Sequence, residues 1–108
     1  MMMQLYKTLQ CRGLVPGSVI ISTAGHDRGS VYLVMCIELP FIWLSDGHRR
    51  PVDKQKKKRV SHVKCLGQIK QQSWDVLMTD KMDNGQINAQ IRCLIKSFIE
   101  MNQTKEER

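Results

Sequence analysis

The chain has 108 residues, enough for one domain with a single modest core and too few for two. Apolar residues at 42% and charged residues at 25% exclude disorder along the whole length. Seventeen Lys and Arg against ten Asp and Glu give a formal charge of +7, which points to an anionic partner, nucleic acid first and an anionic membrane surface second.

No apolar run approaches the ~20 residues of a membrane span. The opening MMMQLYK is too short and too polar for a secretory signal, so a soluble cytoplasmic protein is expected. Cys11, Cys36, Cys65 and Cys93 lie far apart, with no CxxC and no Cys-His pair at finger spacing. That pattern argues against a zinc site and for reduced, mostly buried thiols.

Residues 1–16 form an N-terminal extension in which Leu5, Tyr6, Leu9, Leu14 and Val15 follow no firm period, a short strand or helical turn laid on the domain. Pro16-Gly17 punctuates the chain, and two runs of β-branched residues follow, predicting strands at Ser18–Ser22 and Ser30–Ile37. Between them lies Ala24-Gly25-His26-Asp27-Arg28-Gly29, a tight charged loop with a glycine near each end. Glu38-Leu39-Pro40 breaks the second strand, and Phe41–Leu44 restarts the pattern. Phe41 and Trp43 share one face of that third strand, and Ile42 and Leu44 the other. Trp43 is expected to pack, as a seat for the C-terminal helices, with stacking on a base as the alternative.

Asp46-Gly47 reads as a two-residue hairpin turn leading into a fourth strand at His48–Val52, which Pro51 confines to an edge or an end. Lys54–Arg59 contains no apolar residue and is expected to be solvated or bound to something negative. Val60–Cys65 alternates again as a fifth strand, with Val63 and Cys65 inward and His62 and Lys64 outward. Five short antiparallel strands joined by tight turns predict a small barrel. The absence of a helix between the third and fourth strands favours the SH3-like type over the OB type.

Beyond Gly67 the period changes. Ser73 can cap a short helix carrying Trp74, Leu77, Met78 and Met82, which Asn84-Gly85 is expected to stop. Ile87, Ile91, Leu94, Phe98 and Met101 then make one apolar stripe of a second helix, and the tail 102–108 should fray. The predicted organisation is a mainly β protein with C-terminal helices: an extension (1–16), a five-stranded SH3-like barrel (17–66), a helical segment (67–101) and the tail.

Nine of the seventeen basic residues fall between His48 and Lys70, where Asp53 is the only acid. Holding that many like charges together costs self-repulsion that an anionic partner relieves. The order of elements here, Gly17-x-Val19, Ala24-Gly25-x-Asp27-x-Gly29, strand, Asp46-Gly47, basic strand and a lysine cluster ending at His62, resembles the KOW-motif proteins, in particular the ribosomal protein fourteen-e-like group with its small stand-alone bacterial relatives. The resemblance covers about Gly17 to Leu66. It departs at His26 and Arg28, where relatives often carry Arg and Lys, at Gln55, where a proline often opens the cluster, and in the longer N-terminal extension. It implies an SH3-like barrel that binds structured RNA, ribosomal RNA foremost, with a role in the ribosome or translation.

Chemistry assigns the parts. Gly25 and Gly29 allow close approach, Arg28 offers a fork for phosphate, and His26 offers a donor or a stacking ring. Asp27 repels phosphate and is expected to accept backbone N–H bonds that hold the turn. Arg49, Arg50, Lys54, Lys56, Lys57, Lys58, Arg59 and Lys64 supply phosphate contacts, and His62 a further donor or ring. Catalysis is not expected, since Asp27, Asp46 and Asp53 lie in turns and no nucleophile elbow or P-loop is present, and no cofactor or metal is implied. The alternative is a protein-interaction module that binds a transcription or ribosome-associated factor, or a second copy of the chain, through the barrel or the Ile87–Met101 stripe.

Overall fold

A computed structural model describes residues 14–79 and 81–106. The expectations for residues 1–13 and for the last two residues lie outside the described range. The chain forms one antiparallel five-stranded sheet, β1 Ser18–Ser22, β2 Val31–Glu38, β3 Phe41–Ser45, β4 Lys56–Arg59 and β5 Val63–Gln68, in the order β4-β3-β2-β1-β5. Two helices follow, α1 Gln71–Leu77 and α2 Asn84–Glu106. The mainly β class with five antiparallel strands and C-terminal helices is as the sequence predicts.

The sheet has to curl. β4 and β5 are its two outer strands, yet only the 3-10 turn Val60–His62 joins them. In a flat sheet they would stand four strand spacings apart, about 19 Å, whereas three residues of 3-10 helix advance about 6 Å. The turn is held from both sides, by Thr23 N–H donating to His62 O (2.9 Å) and Val60 N–H donating to Pro40 O (2.9 Å). Two bulges add to the bend, at Leu66 of β5 opposite Val19 and Ile20 and at Met35 of β2.

A single core was expected, but the sheet buries both of its faces. Ile20, Tyr32, Val34, Ile42 and Leu44 fill the concave side, while Val19 and Leu33 face outward and pack with Leu77, Ile91 and Ile95 of the helices. The run VIIS and the run VYLVMCI are nearly continuous in apolar residues, which is the pattern of strands covered on both sides rather than one. The helical segment therefore shares a core with the strands. No residue of β3 or β4 belongs to the helix-side cluster among the described residues.

Several predicted boundaries are corrected. The fourth strand is Lys56–Arg59, not His48–Val52, and the Asp46-Gly47 hairpin is replaced by a longer connection, 46–55. Val60–His62 is a 3-10 turn and not the start of the fifth strand, which runs from Val63 with Val63 and Cys65 inward and Lys64 outward. Ser73 lies inside α1 and caps nothing; the helix begins after Lys70 with no side-chain cap. Asn84-Gly85 opens α2 instead of ending α1, because Asp83 and Gln86 close a reciprocal cap, Gln86 N–H to Asp83 Oδ1 (2.8 Å) and Asp83 N–H to Gln86 Oε1 (3.0 Å). α2 continues through the predicted frayed tail to Glu106. Cys36 and Cys93 are exposed, not buried, and Cys65 is half-buried. Among the described residues no helix is long and apolar enough to cross a membrane.

Candidate nucleic-acid interface

The loop between β1 and β2 closes on itself through its backbone. Gly29 N–H donates to Ser22 O (2.9 Å), Ser22 N–H to Ser30 O (2.9 Å) and Ser30 N–H to Asp27 O (2.9 Å). Gly25 and Gly29 both take positive φ, 87° and 92°, which makes glycine the natural choice at each. His26 and Arg28 between them are exposed.

Asp27 does hold the loop, but through side chains and not through the backbone amides that were expected. Its Oδ1 accepts from Lys58 Nζ at 2.8 Å and from the Ser22 hydroxyl at 2.9 Å, and its Oδ2 accepts from the Tyr32 hydroxyl at 2.9 Å. Burial on its own would raise the Asp27 pKa, yet the bonds from Lys58, Ser22 and Tyr32 outweigh it and hold the carboxyl at about 2. Burial, followed by the hydrogen bond to Asp27, pushes the Tyr32 phenol up to about 12.

Lys58 is the main correction to the predicted contact set. The pairing Ile42↔Lys58 puts it on the concave side of the sheet, where its side chain is 8% exposed and its ammonium also donates to Ala24 O at 2.9 Å. A lysine whose ammonium has two acceptors inside the fold is committed there, and it ties the loop to the edge strand β4. Lys56 shares that side of the strand by two-residue alternation and is half-buried.

The same alternation turns Lys57 and Arg59 outward, beside Trp43 and Phe41 of β3. The Lys57 ammonium lies 4.4 Å from the centre of the Phe41 ring and 5.7 Å from that of Trp43, and the Arg59 guanidinium 5.2 Å from that of Phe41. Trp43 does not seat the helices: it is half-buried on the outer face, outside both core clusters, with its indole N–H donating to Glu38 Oε1 at 2.7 Å.

Arg49, Arg50 and Lys54 sit exposed on the 46–55 connection. Asp46 Oδ1 accepts from the amides of His48 (2.9 Å) and Arg50 (2.8 Å), which wraps the start of the connection around one carboxylate. Helix α2 clamps it from the other side: Asn88 Oδ1 accepts from Val52 N–H at 2.8 Å, and Arg92 donates to Gly47 O. Gly47 is required there, because its φ is +72° and an added Cβ would collide with the Asn88 carbonyl. His62 is exposed on the 3-10 turn, and Lys64 on the outer side of β5.

The predicted residues thus fall into three parts. The loop (Gly25, His26, Arg28, Gly29) is joined to the turn of His62 and to Lys58, Lys57 and Arg59 join the aromatic face, and Arg49, Arg50 and Lys54 ride on the connection held by α2. Sequence reasoning missed Ser22 and Tyr32 as partners of Asp27, and Phe41 as the ring nearest the cations. The signal in the sequence is a loop carboxylate set among expected phosphate contacts, which calls for a cation inside the fold, and a lysine run of strand length that can supply one. Comparison of the chain with protein-family models and with curated proteins finds no match.

Proposed function

We propose that this protein is a cytoplasmic RNA-binding module that docks on structured RNA, ribosomal RNA foremost, by electrostatic capture followed by recognition of shape. The observation that carries the reading is the Asp27–Lys58 pair, which fastens the glycine-bounded loop to the basic edge strand. One domain therefore presents Arg28 and His26 from the loop and Lys57 and Arg59 from the strand on a frame that does not have to be ordered on binding. Gly29 supports close approach, since nothing lies within 4 Å of the position of an added Cβ. Two of the acids near the basic residues are engaged within the fold, Asp27 with Lys58 and Asp46 with the amides of its own connection.

The protein-interaction alternative has less surface to work with. Of the expected stripe, Ile91 is buried against β1, β2 and α1, Ile87, Leu94 and Phe98 are half-buried, and only Met101, at 61% exposure, is exposed at its end. Charge reversal separates the two readings. Arg28→Glu alone and Lys57→Glu with Arg59→Glu are each expected to weaken binding to a structured ribosomal RNA fragment at least tenfold by fluorescence anisotropy, with thermal stability retained. Unchanged affinity in both variants would remove the loop and β4 from the interface.

A further inference from the structure

We infer that the outer face of β3 and β4 is a stacking platform for unpaired nucleotides, so that the preferred ligand is an RNA with a single-stranded loop or bulge rather than a continuous duplex. The inference rests on the RNA-binding reading and adds the class of RNA. Its basis is the fate of the two sides of the sheet. The helices pack on the outward side at Val19, Val31, Leu33 and Met35, and among the described residues the hydrophobic cluster they form includes no residue of β3 or β4. Phe41 and Trp43 are thereby left half-buried outside both hydrophobic clusters, on the strand next to the outer strand β4.

Polarity on that face favours a base over an apolar partner. The one polar atom of the Trp43 ring is satisfied by Glu38, which fixes the indole and leaves its π-face as the binding feature. Lys57 and Arg59 stand over the rings at cation–π distance and are exposed. A nucleotide matches this arrangement in both of its parts: the base stacks on the rings, and its phosphate takes the ammonium or guanidinium. Lys57 is a long, mobile side chain by chemistry, so its ammonium can leave the ring for the phosphate without any change in the backbone. A duplex offers phosphate but no free base face, and therefore uses the cations alone. An acidic peptide offers carboxylate but no ring for Phe41 and Trp43.

The test compares two RNAs of equal length and charge, a blunt duplex and a hairpin with an unpaired loop of about eight nucleotides, together with a poly-glutamate peptide. Affinities are measured by anisotropy, and Trp43 emission is followed in a Trp74→Phe background so that one indole reports. The hairpin is expected to bind roughly five- to a hundredfold tighter than the duplex and to quench Trp43. Trp43→Ala should bring that ratio to within twofold of one, and Trp43→Phe, which keeps a ring, should restore most of it. Thermal unfolding checks that both variants fold. Equal affinity for hairpin and duplex, a ratio that Trp43→Ala leaves unchanged, or equal quenching by the peptide would overturn the platform while leaving RNA binding in place. Failure to bind either RNA would overturn the RNA-binding reading and the platform with it.

Discussion

At the scale of residues, the Asp27–Lys58 contact decides most. Its charges are 8% and 16% exposed, so breaking the pair by removing one partner leaves a poorly solvated charge. Asp27→Ala is expected to cost about 3 kcal/mol in urea unfolding. Asp27→Asn combined with Lys58→Met should cost less than the sum of the two single changes, because the double variant strands no charge. The pair also sets an acid limb. The Asp27 carboxyl titrates at about 2 in the fold against 3.8 in a free chain. A depressed carboxylate stabilises the fold above the free-chain value and loses that contribution as pH falls through the folded one. Roughly 2 kcal/mol should therefore disappear between about pH 4 and pH 2, and Asp27→Asn should lack this portion of the loss when unfolding midpoints are compared. Tyr32, raised to about 12, works in the opposite sense, its contribution present below pH 10 and lost as pH rises through about 12.

At the scale of elements, α2 acts as a clamp as well as a cover, since Asn88 and Arg92 hold the connection that carries Arg49, Arg50 and Lys54. Gly47→Ala places a Cβ against the Asn88 carbonyl in a left-handed conformation, and should cost upwards of ~2 kcal/mol. Gly29→Ala has the same kind of φ in open space and should cost only about 1 kcal/mol; the order of the two melting temperatures checks the clamp. The first three strands were legible in the sequence because each carries apolar residues at the inward positions, and the expected Ser18–Ser22 matches β1. β4 was not legible, because its most buried residue is a lysine and pattern reading takes a charged run as solvated. The start of α2 could have been read: Asp83 and Gln86 stand at capping-box spacing, a stronger signal than the glycine between them.

At the scale of the whole molecule, one sheet separates two jobs. Its inner face and the helix-covered part of its outer face hold the fold, while β3, β4, the β1–β2 loop and the 46–55 connection carry Arg28, Arg49, Arg50, Lys54, Lys57 and Arg59, all exposed, and two half-buried aromatic rings. The sequence shows a run of basic residues, but only the pleat of β4 distinguishes Lys57 and Arg59, which point out, from Lys58, which points in. The four positive charges of β4 are thus sorted by alternation along the strand.

The most direct test of the account is the salt dependence of affinity for a structured ribosomal RNA fragment. If four to six phosphates are neutralised, log K should fall against log salt with a slope of about −3 to −5, and Lys57→Glu with Arg59→Glu should make that slope shallower by about two. A slope near zero, or one that the double reversal leaves unchanged, would contradict it.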